Sequence, residues 1–405
     1  MRILVLTQVL VYPPDAGPKV KTLQVLRHLA AEHDVVYCTY VRSEKEAQDA
    51  EKLREICKRV VTVPLKRSKV SDARFLIESM VTGTSVMLRR DDRAVMHATV
   101  RQLLQEERID VLHVDQLNMT RFVPPDWSGT VILDEHNAVW QVFERLHKGA
   151  SNPIKRWFFG REARVIRKIE GTACRRAQVV LAVSEEDKQA LQVVAGEAVA
   201  IEVVPITVDA ESFTPLWESR DPQPNRLLTI GTMFWFPNNE GVSWWLREGY
   251  EQLRAICPGV TYDIVGARPP HTLQTLAEHY EGVKLHGYVA DAVPFWRHAS
   301  ALAVPLLSGG GVRVKILEAM AIGVPVISTT MGCEGLDVRN NEHLLIADTP
   351  EAFAQACAKV LQDKELALRL ANNARQLILD RYDARVALQT LDTIYGQAQK
   401  EGVKR

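Results

Sequence analysis

Short β-branched runs separated by amphipathic helical patterns recur along the whole chain, and that alternation leaves few folds open. Strand-like runs stand at 2–7 (RILVLT), 34–41 (DVVYCTYV), 59–65, 110–115, 130–135 and 179–184. Helical patterns fall between several of them, such as KTLQVLRHLAAE at 21–32 and AVMHATVRQLLQEER at 94–108. Strand, helix and strand in series make a βαβ unit, and repeated units make a parallel sheet. The alternation breaks at 203–226, which is rich in Pro, Asp and Ser and has no helical period, so a linker is expected there. A second series follows at 226–232, 261–266, 283–289, 301–307 and 324–329. The expected class is α/β, with one parallel-sheet domain over 1–207 and another over 208–383. A last helical segment, 384–405, is expected to pack back on the first domain.

A chain of 405 residues suits two domains, and 46% hydrophobic with 25% charged residues suits a folded, water-exposed protein. Lys and Arg equal Asp and Glu at 50 each, so overall charge gives no reason to expect a nucleic-acid partner. The six cysteines are scattered singly with no C-x-x-C pair, which speaks against a zinc site or a disulfide framework. ILVLTQVLVY near the start has one preceding Arg and no A-x-A site after it, so it is expected to be the first strand. No uncharged apolar run approaches the ~18 residues of a membrane span. A cytoplasmic protein, free or at the inner face of the membrane, is the expectation.

In open parallel sheets ligands bind beyond the C-terminal strand ends, so the loops after strands are where chemistry is sought. After the first run comes VYPPDAGPKVKTLQVL, where Gly17 stands before a helix whose free N–H groups suit an anion. A plain chain-reversing turn explains the same residues. LDEHNAVW (133–140) puts His136 at a strand end, fit for a sugar hydroxyl or for proton handling. His113 lies inside its strand and fits a core role. The stretch 154–178 carries eight Lys or Arg against Glu162 and Glu170. It suits an anionic membrane or acceptor, though a solvated helix with one buried face is the plainer reading.

The segment SGGGVRVKILEAMAIGVPVIS (308–328) holds the densest chemistry. Its glycines let backbone amides approach a ligand, and Lys315 and Glu318 stand three apart at a helix start. A diphosphate held by those amides and Lys315 would bring a ribose to Glu318, whose oxygens accept from vicinal hydroxyls. Arg313 joins only if the loop extends past it. Neither G-x-x-x-x-G-K-[ST] nor G-x-G-x-x-G is present, which argues against a P-loop ATPase and a simple dinucleotide dehydrogenase.

GGGVRVKILEAMAIGVPVIST resembles the donor-site signature of glycosyltransferase family 4, retaining enzymes with the GT-B fold of two Rossmann-like domains facing across a cleft. The likeness extends to YPPDAGPKVKTLQVLRHLA, VSEEDKQAL, PITVDAESFTP, GYVADAVPFW and the helix after LLIAD. It implies a transferase moving a sugar from a nucleotide-diphosphate donor to a glycan, lipid-linked or small-molecule acceptor, with no metal or other cofactor. It implies that Glu318 binds the ribose and that Gly309, Gly310 and Gly311 lie against the diphosphate and sugar. Gly17 would close over the phosphates, His136 would stand by the transferred sugar, and the backbone at Tyr288 and Val289 would meet the base. Three features depart from the family pattern. Gly310 stands where an acid is usual, eight before Glu318. TMFWFPNNEG carries no base, so Arg313 and Lys315 are expected to take over the phosphate charge. The first loop has Gly17-Pro18 for Gly-Gly. A non-catalytic nucleotide-sugar-binding protein of the same fold is the rival reading, and a phosphorylase of that fold would require pyridoxal phosphate.

Overall fold

The structure, a computed structural model, describes residues 1–14 and 17–402, without the side chains of 69, 70 and 400–402. Asp15 and Ala16 of the first loop, and the final three residues, lie outside the described residues. Two compact units emerge, one of Met1–Ile206 with the segment from Leu388, the other Thr207–Ala387. The boundaries differ from the expected ones by one residue at the linker and by four near the end.

In the first unit β1 (Arg2–Thr7), β2 (Asp34–Val41), β3 (Arg59–Pro64), β4 (Val111–Asp115), β5 (Thr130–Asp134), β6 (Val179–Ala182) and β7 (Ile201–Val203) form one sheet. Their order is β3-β2-β1-β4-β5-β6-β7, every neighbouring pair parallel. The central strands are continuous apolar runs because both faces are covered, and all five residues of β4 are buried. β7 was not expected. With three residues it is too short to show a period, and it precedes the linker.

The second unit holds β8 (Arg226–Ile230), β9 (Thr261–Val265), β10 (Val283–Gly287), β11 (Ala301–Val304), β12 (Val326–Ser328) and β13 (Leu345–Ile346). The order is β10-β9-β8-β11-β12-β13, again parallel. Strand order reverses between β1 and β4 in one sheet and between β8 and β11 in the other, so ligand-binding crevices are expected at those strand ends. β11 stops before Pro305, which has no N–H to give the ladder. At Gly241 a Cβ would lie 2.1 Å from the Pro305 carbonyl oxygen, so the Phe236–Glu248 helix rests directly on the chain leaving β11.

The linker contains a short helix, Thr214–Glu218, which the lack of period at 203–226 did not suggest. Pro215 in its first turn supplies a preset backbone angle where a missing N–H costs nothing. Near the end the expected single helix is two: Ala384–Ala387, which stays with the second unit, and Gln389–Gly402, which belongs to the first. Tyr395 on the latter meets His113 of β4, hydroxyl to Nδ1, at 2.7 Å with both side chains fully buried. His113 is thus a core residue, as its place inside a strand suggested. All six cysteines are free and buried. Among the described residues no helix is long and apolar enough to cross a membrane.

Candidate functional site

Side-chain alternation organises the strand end of the first unit. Asp134 ends β5, and Asp134 and His136 turn to one side while Glu135 turns to the other. On the first side Lys21 reaches in from the Gly17–Glu32 helix and its ammonium bonds Asp134 Oδ1, both side chains fully enclosed. Thr22, the next residue, donates its hydroxyl to Asp115 Oδ1 at 2.9 Å. His136 Nε2 lies 3.0 Å from that same oxygen, and its Nδ1 is 3.3 Å from the Gln116 amide nitrogen. Burial alone would raise the Asp134 carboxyl, but Lys21, His113 and His136 outweigh it and hold it well below the ordinary range. Donor atoms of Asp115, Asp134 and His136 come within 4.8 Å of one another, a set that could hold a divalent cation by ligand type. The Lys21 ammonium already supplies the positive charge on Asp134.

Glu135 faces the Pro153–Arg176 helix. Its Oε2 accepts the Leu117 N–H at 3.2 Å, while Glu170 accepts the Val139 and Trp140 N–H groups at 2.8 and 2.9 Å. Glu170 thereby caps the Val139–Gly149 helix, whose first amides have no partner within the helix. Burial raises both carboxyls, and their mutual proximity adds to the rise at Glu135.

Gly17 lies in its helix, not before it, and among the described residues that helix runs from Gly17, four residues ahead of its apolar period. Lys21, Thr22 and Asp115 escaped the sequence reading. A buried Lys in a helical run looks like any solvated one until the strand that faces it is known.

In the second unit the loop 308–313 follows β11 and precedes the Val314–Ile322 helix. Gly309 (φ 111°) and Gly311 (φ 79°) take backbone angles that side chains disfavour. Arg313 lies before the helix and folds onto its own loop, donating from Nη1 to the carbonyls of Gly310 and, at 2.6 Å, Gly311. It acts as a brace on the glycine turn. Lys315 donates to Asn238 Oδ1 at 3.0 Å, and Asn238 Nδ2 donates to the Thr232 carbonyl at 3.0 Å. A Cβ on Gly231, at the end of β8, would come within 3.1 Å of Lys315 Nζ. Lys315 is therefore seated at the end of β8, in the segment that carries no base of its own. Burial and the Arg313 charge push its ammonium down to about 7, partly opposed by Glu318. Burial raises Glu318 to about 7, partly opposed by Lys315. Ser308 donates to Glu240 at 2.5 Å, which brings a carboxylate to the glycine loop. Gly287 ends β10 with φ 65°, and beyond it Tyr288 is exposed and Val289 half-buried. Trp245 is core, and Trp244 packs partly buried beside it.

Residues 16–207 match the family described as glycosyl transferase 4-like domain, and residues 224–363 match glycosyl transferases group 1. The chain belongs to the GT-B glycosyltransferases. Over 121 residues, 29% of this glycosyltransferase and 32% of the relative, it is 26% identical to the capsular polysaccharide biosynthesis glycosyltransferase CapM of Staphylococcus aureus. It spans 20–44% of the length of the curated relatives it matches. Sucrose-phosphate synthase from Thermosynechococcus elongatus has the same fold, with TM-score 0.73 at 16% identity over 99% of this chain and 100% of that one. So does Anabaena HepE, solved in complex with UDP and glucose, with TM-score 0.68 at 13% identity over 98% of this chain and 100% of that one.

Proposed function

We propose that this chain is a retaining glycosyltransferase of family 4 that transfers a sugar from a nucleotide-diphosphate donor to an acceptor hydroxyl in envelope or surface polysaccharide assembly. The observation that carries the reading is Lys315, seated by Asn238 at the end of β8 with Glu318 one turn on and the glycine loop beside it. The ammonium and the loop amides take up negative charge on the leaving diphosphate as the bond to the anomeric carbon breaks. The acceptor oxygen attacks from the same face, and its proton passes to the leaving phosphate. Glu318 receives the ribose hydroxyls. Arg313 keeps the glycine turn in shape, so its part is positioning. In the first unit Asp115 and Gln116 fix the ring of His136, the residue assigned to the transferred sugar. The charge groups named here leave no step that calls for a metal. The capsular role of CapM and the UDP and glucose bound to HepE support the pathway class and the donor class.

A second reading, binding without transfer, is favoured by Gly310 in place of an acid. Glu240 speaks against it, since it brings a carboxylate to the same loop through Ser308. Purified protein incubated with UDP-glucose and other nucleotide sugars separates the two. Donor hydrolysis that falls by about 100-fold in His136→Ala, at unchanged UDP affinity, supports transfer. UDP binding with no turnover of any donor, with or without acceptor, overturns it.

A further inference from the structure

Two helices of the first unit expose apolar residues that nothing in the fold requires to be exposed. The Lys69–Thr82 helix presents Ala73, Leu76, Ile77 and Val81 at helical spacing on its solvent side, with Ile77 65% and Val81 82% exposed. The first turns of the Pro153–Arg176 helix present Ile154 at 78% and Trp157 at 58%. The two helices are tied together. Arg161 donates to the carbonyls of Ser79 and Thr84, and Glu162 accepts from the Ser85 hydroxyl at 2.7 Å and the Val86 N–H at 3.1 Å.

Charge decides what covers them. Both acids of the Pro153–Arg176 helix, Glu162 and Glu170, are fully buried and bonded inward. Its exposed charges, Lys155, Arg156, Arg164, Arg167, Lys168, Arg175 and Arg176, are all positive. The balance of acids and bases over the whole chain therefore conceals a helix face of one sign. We propose that this face docks on an anionic lipid bilayer, with Ile77, Val81, Ile154 and Trp157 entering the interface and Lys155 and Arg156 meeting the headgroups. The basic stretch is then the electrostatic part of a surface whose apolar part is shared between its own first turns and the Lys69–Thr82 helix.

Co-sedimentation with vesicles of phosphatidylcholine, alone or with added phosphatidylglycerol, tests this. The protein is expected to sediment with the mixed vesicles and to be released as salt rises. Ile77→Ser/Val81→Ser and, separately, Lys155→Glu/Arg156→Glu are each expected to reduce partition by about tenfold or more while UDP affinity stays unchanged. UDP affinity also separates this proposal from the catalytic one, since either can fail alone. Absence of binding to the mixed vesicles, equal binding by both variants, or a dimer in sedimentation velocity that Ile77→Ser/Val81→Ser abolishes would overturn it.

Discussion

Lys315 Nζ and Asn238 Oδ1 are 3.0 Å apart, which links the helix after the glycine loop to the helix after β8. Asn238 is itself held by the Thr232 carbonyl, so the ammonium is pointed before any ligand arrives. Lys315→Ala is expected to weaken UDP binding by about 10- to 100-fold, the range of a hydrogen bond to a charged group. Asn238→Ala should weaken it less, since the charge remains and only its aim is lost. Calorimetry with UDP decides, and unchanged affinity in both variants sinks the assignment.

Protonation should follow binding. Without ligand Lys315 sits near 7, so above that pH it is mainly neutral, and a diphosphate favours its charged form. Binding is expected to take up protons above pH 7, with affinity falling by up to about tenfold per pH unit. Calorimetry in buffers of different ionisation heat measures the uptake. Lys315→Arg keeps its charge throughout and should give a flatter profile. A wild-type affinity independent of pH between 7 and 9 would contradict the mechanism.

Lys21 and Asp134 make the opposite kind of pair, fully enclosed and permanently matched. Lys21→Met leaves a carboxylate without its partner and is expected to cost about 3–5 kcal/mol in urea unfolding. Lys21→Met combined with Asp134→Leu should recover part of that loss, because neither charge is then stranded. Additive losses in the double variant would show that the pair matters by packing alone.

Glu170 should make the first unit sensitive to pH. Its folded carboxyl is raised above 4.5, so the native state holds a proton that the unfolded chain has lost. This contribution is complete below the unfolded value and is lost as pH rises through the folded one, at roughly 1.4 kcal/mol per pH unit of that interval. Glu170→Gln, which keeps the shape without the titration, is expected to flatten the stability profile over that interval. An unaltered slope would place the titration elsewhere.

The two parallel sheets were legible because strands covered on both faces must be apolar runs, and RILVLT or DVLHVD can be little else. Lys315 and Glu318 were legible because the helix following the glycine loop carries them within one turn. β7 and the Thr214–Glu218 helix were not, being too short to show a period. Asp115 and Lys21 were hidden for another reason. Their partners, His136 and Asp134, lie far off in sequence, and only the order β1-β4-β5 makes them neighbours. The burial of Glu162 and Glu170 was equally invisible, since a charge count weighs enclosed and exposed acids alike.

Tyr395 meeting His113 has a consequence for how the molecule is made. The first unit is written in two pieces, and the piece that meets the middle of its sheet is made only after the whole of the second unit. Residues 1–206 on their own would leave the His113 ring without its hydroxyl partner and bare the apolar ground beneath Leu391 and Tyr395. A separately produced first unit needs the segment from Leu388 supplied with it, and until Tyr395 is made the growing chain must hold that seat open.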